Sequence, residues 1–270
     1  MVLDKIKFLN KIFFKRILTL MFLFPIFIYS ILENDFFSKF IILATSLFLG
    51  YEWFNMTQKR NFFNLLIFNS LIFFNIFFSF NLSFISSLVS TIFFSFFIIL
   101  FFLTKRQNYE RLLYIFYGYI FISIPFIIFL KIKSIVNGEY ILLWLLIVIS
   151  TTDISSYISG NLIKGPKILP IVSPSKTISG TIIGILIGTL FGIIFFINFL
   201  NINNNFFLIF LFSFILAISG FFGDIFMSKI KRKFNKKDSS NFLPGHGGFL
   251  DRYDSFSFAL IMLFFLEFFI

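Results

Sequence analysis

The residues best able to do chemistry lie in the densest polar run of the chain, between Ser228 and Asp254. Lys and Arg neutralise phosphate oxygens, and the run contains Lys231, Arg232, Lys237 and Arg252. Glycine lets backbone N–H groups approach a phosphate closely, and the run contains Gly245, Gly247 and Gly248. Carboxylates are ligands that Mg²⁺ prefers, and the run contains Asp238, Asp251 and Asp254. These residue types together predict a site for a polyphosphate and a divalent cation.

Two further aspartates stand inside apolar segments. Asp153 has Tyr157 four residues on, and Asp224 has Ser228 four residues on, so each pair shares a helical face. A charged side chain deep in a bilayer costs about 2.5–3.5 kcal/mol on insertion scales, and such residues usually mark functional sites. For Asp153 a buried hydrogen bond between helices remains the alternative. The polar run that follows Asp224 favours a functional role there.

His246 is the single histidine of the sequence, which contains no cysteine. A dedicated zinc site is therefore implausible, and disulfide or thiol chemistry is excluded. A Mg²⁺ ion with oxygen ligands fits this composition better. Glycines on both sides give His246 little packing support, so contact with a ligand and a structural role both stay open.

The composition indicates which elements must position these residues. Of 270 residues, 59% are hydrophobic and 13% are charged, with a mean hydropathy of +0.97. A soluble domain is about half apolar and a quarter charged, so a soluble enzyme, a secreted disulfide scaffold and a disordered chain are excluded. Long apolar runs without alternation argue against a membrane β-barrel. We predict an all-α, polytopic membrane helix bundle of about nine transmembrane helices, near residues 17–32, 40–54, 62–80, 84–103, 112–131, 141–158, 178–199, 206–227 and 256–270.

The distribution of positive charge predicts the orientation of the bundle. With the N-terminus in the cytoplasm, 20 of the 23 Lys and Arg residues fall in cytoplasmic segments, in agreement with the positive-inside rule. The two largest loops, near 159–177 and 228–255, then face the cytoplasm, and the C-terminus lies outside. The formal net charge of +11 is explained by topology and by contact with anionic lipid, so nucleic acid is not expected as a partner.

A stripe of small residues marks the seventh predicted span. Gly180, Gly184, Gly188 and Gly192 recur every four residues and therefore share one helical face. Such a face lets the backbone of a neighbouring helix approach closely. We predict helix packing there, with a dimer seam or a substrate groove as the alternatives.

The polar run also carries a family resemblance. The pattern S-x-x-K-R-x-x-x-x-K-D-x-x-x-x-L-P-G-H-G-G-x-x-D-R-x-D, from Ser228 to Asp254, resembles the signature of phosphatidate cytidylyltransferases. Asp153 and Tyr157, followed by residues 173–180, resemble a second recurrent block of that family, and Asp224 stands at the family's Gly-Asp pair. The resemblance covers roughly residues 140–270. It divides the chain into N-terminal transmembrane helices, 1–135, and a C-terminal transmembrane catalytic region, 136–270.

The resemblance implies a reaction of phospholipid biosynthesis, in which CTP and phosphatidate give CDP-diacylglycerol and diphosphate. It implies Mg²⁺ as the cofactor and leaves room for a second cation such as K⁺. The implied partners are CTP, phosphatidate in the bilayer and a second copy of the chain in a homodimer. We expect a multi-pass protein of the cell (inner) membrane whose active site faces the cytoplasm.

Roles for individual residues follow from the same resemblance. Catalysis is assigned to Asp224, Lys231, Arg232, Lys237, Asp238, His246, Asp251 and Arg252. Substrate binding is assigned to Ser173, Lys176, Ser228, Gly245, Gly247 and Gly248. The implied metal ligands are Asp224, Asp251 and Asp254. The attacking phosphate oxygen is already ionised at neutral pH, so no strong general base is required.

Two other functions stay open on the sequence alone. A CTP-dependent membrane lipid kinase would transfer the terminal phosphate of CTP to a lipid alcohol, and some membrane kinases are distantly similar to this family. A transporter would use Asp153 and Asp224 as ion sites, but we find no inverted repeats in the sequence. A CDP-alcohol transferase would need a D-G-x-x-A-R motif, which the sequence lacks.

Overall fold

The computed structural model describes residues 24–58, 61–104, 109–200, 205–240, 242–243 and 247–266. Helices dominate this part of the chain, as expected for apolar segments that must satisfy their own backbone hydrogen bonds in lipid. Residues 24–32 form α1, and the later helices are α2 (Phe36–Thr57), α3 (Phe62–Ser79), α4 (Phe84–Thr104), α5 (Tyr109–Lys133), α6 (Gly138–Ile163), α7 (Ile178–Phe199), α8 (Phe206–Lys233) and α9 (Leu250–Leu266). Each predicted span overlaps one of these helices, which confirms the predicted all-α membrane bundle.

Six helices of the described chain, α3 to α8, are long and apolar enough to cross a membrane. They make the protein a multi-pass membrane protein. Two of them extend beyond the predicted spans 141–158 and 206–227. Helix α6 continues to Ile163, and α8 continues to Lys233. The added turns are rich in polar residues, which a hydropathy criterion excludes although they are compatible with a helix. The two predicted large loops are correspondingly shorter.

Short polar side chains cap the beginnings of several helices. Asp35, in the predicted turn between α1 and α2, accepts a hydrogen bond from the Ser38 backbone N–H at 2.7 Å. Thr177 accepts one from the Gly180 N–H at 3.1 Å, where α7 begins. Such caps satisfy N–H groups that have no partner inside the helix, and they therefore set where each helix starts.

A two-stranded hairpin between α6 and α7 was not predicted. Its strands are β1 (Lys167–Leu169) and β2 (Ser173–Thr177), which pair antiparallel with Leu169 opposite Ser173. Strands this short and polar carry no alternating hydrophobic pattern, so the sequence has no strand signal there. The hairpin places Ser173 and Lys176 on one strand.

The chain divides into two compact units, neither of which is one continuous stretch. Unit 1 comprises Met1–Phe126 with Lys236–Arg252. Unit 2 comprises Ile127–Asn235 with Tyr253–Ile270. The signature segment 228–254 is therefore shared between the two units.

In unit 1, helix α2 is held against α5 by a buried tryptophan. Trp53 is 1% exposed, and its indole Nε1 donates a hydrogen bond to the Tyr114 carbonyl oxygen at 2.8 Å. Gly118 leaves room for the indole ring, since a Cβ at that position would overlap it. Immediately after the end of α2, the Gln58 side chain donates to the Arg111 carbonyl oxygen at 3.0 Å. These contacts fix the position of α2 within the unit.

In unit 2, the glycine stripe of α7 packs on α6, which confirms the predicted helix packing. A Cβ at Gly180 would lie 2.9 Å from the Cα of Gly160. A Cβ at Gly184 would lie 2.8 Å from the Thr152 carbonyl oxygen and would overlap the Ser156 hydroxyl. The glycine face of α7 is therefore covered by α6 within unit 2.

Adding one methyl group to this interface is expected to destabilise the protein. Gly184→Ala should cost about 1–3 kcal/mol, because backbone atoms of α6 cannot move aside for the new Cβ. Thermal unfolding of the purified protein in lipid measures the effect, with Leu186→Ala, at a position 54% exposed on the same helix, as the control. Equal midpoints for Gly184→Ala and the wild type would contradict the close approach.

Candidate functional site

Each unit holds some of the predicted site residues. Those in unit 2 are Ser173, Lys176, Asp224, Ser228, Lys231, Arg232 and Asp254. Those in unit 1 are Lys237, Asp238, Gly247, Gly248, Asp251 and Arg252. Gly245 and His246 lie outside the described residues, so their roles stay predictions.

An ion pair joins β2 to α8 in unit 2. The Lys176 ammonium contacts Asp224 Oδ2, and the two side chains are 23% and 28% exposed. Ser228, one turn further along α8, approaches the other oxygen, with its Oγ 3.4 Å from Asp224 Oδ1. The Lys176 ammonium also lies 4.8 Å from the centre of the Phe221 ring, in a cation–π contact. Because both charges are partly exposed, a ligand can reach them.

A second carboxylate lies beside this pair. Asp254, at the start of α9, is 3% exposed, and Gly223 lets its backbone approach α8, since a Cβ at Gly223 would overlap the Asp254 carbonyl oxygen. In the sequence, Asp254 lies just before the last predicted transmembrane span, 256–270, and so outside the predicted membrane segment. Burial and then the Asp224 carboxylate raise its pKa well above the ordinary value, whereas Lys231 opposes the shift and Asp153 adds to it. Unit 2 therefore gathers the carboxylate–lysine cluster: Asp153, Asp224, Asp254, Lys176 and Lys231.

The basic end of α8 also contacts the hairpin. Arg232 Nε donates a hydrogen bond to the Val172 carbonyl oxygen at 3.2 Å, immediately before β2. Ser173, the first residue of β2, is 8% exposed, and so is Lys231 on α8. The hairpin and α8 thus bring together basic residues from two separate blocks of the sequence.

The donor chemistry of the cluster suits Mg²⁺. Among the residues that the structure describes, no group of three or more His, Asp or Glu side chains is arranged to hold a metal ion alone. Mg²⁺, however, is usually held by one or two carboxylates together with substrate phosphates and water. Asp224 and Asp254 are two such carboxylates, and a divalent cation would relieve the repulsion between them. Mg²⁺ at these two carboxylates stays a prediction.

In unit 1 the described residues between α8 and α9, 236–240, 242–243 and 247–249, form what we call the signature loop. Asp251, in the first turn of α9, orders this loop through one oxygen. Its Oδ2 accepts hydrogen bonds from Ser239 N at 3.0 Å, Ser239 Oγ at 3.1 Å and Gly248 N at 2.9 Å. Gly247 has a φ of +83°, a left-handed conformation that favours glycine. Asp251 as a metal ligand stays a prediction.

Three predicted catalytic side chains at the ends of the loop are exposed: Lys237, Asp238 and Arg252. Exposure leaves these charged groups accessible to a phosphate ligand. The backbone N–H of Gly248, in contrast, is used within the loop by Asp251. Gly248 is needed for space, since a Cβ there would lie 2.5 and 2.7 Å from the two carboxylate oxygens of Glu52.

Glu52 contacts the signature loop and was not among the predicted site residues. It lies in α2, is 1% exposed, and its carboxylate accepts hydrogen bonds from the signature loop and from the first residue of α9. The signal was present, because Glu52 is an acidic residue inside the predicted span 40–54. The criterion that singled out Asp153 and Asp224 applies to it equally.

Comparison with known proteins places these features in a family. Residues 14–269 match the sequence model of the cytidylyltransferase family. A phosphatidate cytidylyltransferase of Staphylococcus haemolyticus is 37% identical over 143 residues, which are 53% of this chain and 54% of the relative. Phosphatidate cytidylyltransferases of Staphylococcus epidermidis and Staphylococcus aureus are 34% and 33% identical over the same length. The alignment spans about half the length of these curated relatives. Since the family model covers nearly the whole sequence, from the predicted first span to α9, the chain belongs to the cytidylyltransferase family.

Proposed function

We propose that the protein is a phosphatidate cytidylyltransferase, which converts CTP and phosphatidate to CDP-diacylglycerol and diphosphate. The observation that carries the proposal is the carboxylate–lysine cluster of unit 2. There Lys176 pairs with Asp224 beside Asp254 and Lys231, within a multi-pass member of the cytidylyltransferase family. The partly exposed pair Lys176–Asp224 can reach a substrate phosphate, whereas Asp254 and Lys231 are buried.

In the proposed reaction a phosphate oxygen of phosphatidate attacks the α-phosphorus of CTP. The new P–O bond forms as the bond to the β-phosphate breaks, and diphosphate leaves with the negative charge. Lys231 and Arg232 stabilise that charge, and Lys176 orients the phosphatidate headgroup. Mg²⁺, held by Asp224 and Asp254, would neutralise the triphosphate. The attacking oxygen is already ionised, which suits a sequence with a single histidine.

The remaining partners and the location follow from the predicted orientation. We infer that the protein lies in the cell (inner) membrane, that its active site faces the cytoplasm where CTP is, and that anionic lipid contacts its basic loops. A homodimer is part of the same proposal. The net charge of +11 and the uneven distribution of Lys and Arg support the orientation.

One assay separates this function from a CTP-dependent lipid kinase. The purified full chain in lipid is given phosphatidate, Mg²⁺ and CTP labelled on either the α- or the γ-phosphate. The label should enter lipid only from α-labelled CTP, and the lipid product should have the mass of CDP-diacylglycerol. Transfer of the γ-label to a lipid alcohol would support the kinase instead, and transfer of neither label would refute both.

The orientation can be tested with introduced cysteines, since the sequence contains none. Ile171, between the two strands, is 89% exposed and is predicted to face the cytoplasm, whereas Val136, between α5 and α6, is 88% exposed and is predicted to lie outside. In intact cells made permeable only at the outer envelope, an impermeant maleimide should label Val136→Cys. Ile171→Cys should react only after lysis, and the reverse pattern would overturn the orientation.

A further inference from the structure

We propose that Glu52 is a positioning residue for the signature loop, so that the reaction depends on a carboxylate that the signature does not contain. The inference rests on the proposed function for its activity readout. Glu52 belongs to α2, and it lies 187 residues before Ser239, its first partner in the loop. The N-terminal helices would then contribute to the chemistry as well as to the membrane anchor.

The hydrogen bonds of Glu52 come from both ends of the loop. Its Oε1 accepts from Ser240 Oγ at 2.6 Å and from Phe249 N at 3.0 Å. Its Oε2 accepts from Ser239 Oγ at 3.1 Å and from Leu250 N at 2.8 Å. Each carboxylate oxygen therefore receives one backbone N–H and has one serine hydroxyl within reach, and the single proton of Ser239 Oγ is shared between Glu52 and Asp251. A single side chain thereby ties residues 239–240 to residues 249–250.

These bonds explain why a buried carboxylate is tolerated there. An acidic group without partners in an apolar environment is strongly unfavourable. At Glu52 two backbone N–H groups, the Ser240 hydroxyl and the shared Ser239 hydroxyl compensate for the lost hydration. The two N–H groups lie at the start of α9, where a negative charge is stabilised by the helix dipole. The next residue, Trp53, anchors α2 to α5 through its hydrogen bond to Tyr114. The carboxylate is thus a fixed point to which the loop attaches.

The loop is shaped around this carboxylate. Gly248 passes so close to it that no side chain fits there. The Ser239 hydroxyl lies 3.1 Å from Glu52 Oε2 and 3.1 Å from Asp251 Oδ2, so it connects Glu52 to a predicted catalytic residue. Two aromatic contacts also attach the signature loop to α2. Phe48 of α2 stacks on Phe249 with 5.3 Å between ring centres, and it contacts Phe242 edge-on at 6.0 Å. Movement of Glu52 would therefore displace the exposed loop residues Lys237 and Asp238.

The variant Glu52→Gln tests this with almost no change in shape. In either orientation of the amide, its NH₂ group would face a backbone N–H, of Phe249 or of Leu250, and that bond is lost. We expect kcat at saturating CTP to fall about 10²-fold, as for a catalytic group misplaced by about 1 Å. Hydrogen exchange should become faster at the amides of residues 247–252. Exchange in α3 and α4 should stay at wild-type values.

Glu110→Gln is the matched control, because it removes the same charge from an exposed position at the start of α5 in the same unit. It should leave turnover and loop exchange unchanged. If Glu52→Gln does not fold, Ser240→Ala removes one of the four donors and should give a smaller loss in the same direction.

The outcomes separate this inference from the proposed function. A wild-type protein that makes no CDP-diacylglycerol refutes the proposed function, while the exchange data still test whether Glu52 holds the loop. An active wild type with near-normal turnover in Glu52→Gln overturns the positioning role. A lowered unfolding midpoint with unchanged kcat would show that Glu52 is only structural, and this also overturns it.

Discussion

Replacing Asp224 by asparagine is expected to lower the rate of CDP-diacylglycerol formation by about 10²–10³. The substitution keeps the size of the side chain but removes the charge that pairs with Lys176 and that would hold the cation. Loss of one group that stabilises charge in a transition state typically costs about 2.7–4 kcal/mol, which is that factor in rate. The measurement is kcat at saturating CTP across a Mg²⁺ titration.

Asp35→Asn is the control for this substitution. Asp35 caps α2 through a hydrogen bond that its Oδ1 accepts from Ser38 N, and asparagine is an equally good cap. Its activity should equal that of the wild type. Near-normal turnover of Asp224→Asn in correctly folded protein would show that the cluster of unit 2 is not the metal site.

Asp251→Asn is expected to cause a loss of similar size, about 10²–10³ in kcat, if Asp251 is a metal ligand as the signature implies. The structure makes this variant unusually informative. The three hydrogen bonds that the signature loop donates to Asp251 all end on Oδ2. The side-chain carbonyl oxygen of asparagine can accept them in the same place. Asp251→Asn therefore removes the negative charge and keeps the hydrogen bonds that order the signature loop.

Comparison with Asp251→Ala separates the two roles of this residue. Alanine loses both the charge and the loop contacts, so hydrogen exchange at residues 239 and 248 should rise in Asp251→Ala and not in Asp251→Asn. An Asp251→Asn protein with normal turnover, next to an inactive Asp251→Ala protein, would limit Asp251 to ordering the loop. The proposed metal site would then consist of Asp224 and Asp254 without Asp251.

The positions of the helices were predictable because hydropathy is a local property of the chain. A window of about 20 apolar residues has few alternatives to a helix in lipid. The limits of α6 and α8 were predicted too short, since their last turns are polar and continue the helix by propensity alone. The hairpin β1–β2 was not predicted, because strands of three and five mostly polar residues lack the period that identifies a strand.

The chemistry of the site was also largely present in the sequence. Fixed spacing from Ser228 to Asp254 identified the signature, and the cost of charge inside apolar segments pointed to Asp153 and Asp224. Glycines every four residues in α7 predicted its packing on α6. Each of these signals depends on residue type and local spacing, which a single sequence displays directly.

Contacts between distant segments were decided only by the tertiary structure. The pairing of Lys176 with Asp224 depends on how β2 meets α8, and neither residue type nor spacing specifies that approach. The attachment of the signature loop to Glu52 joins residues 187 positions apart. A buried carboxylate is stable only when hydrogen-bond donors surround it, and at Glu52 those donors come from the loop that folds onto it. The sequence around Glu52 alone shows only an apolar helix with one unexplained charge.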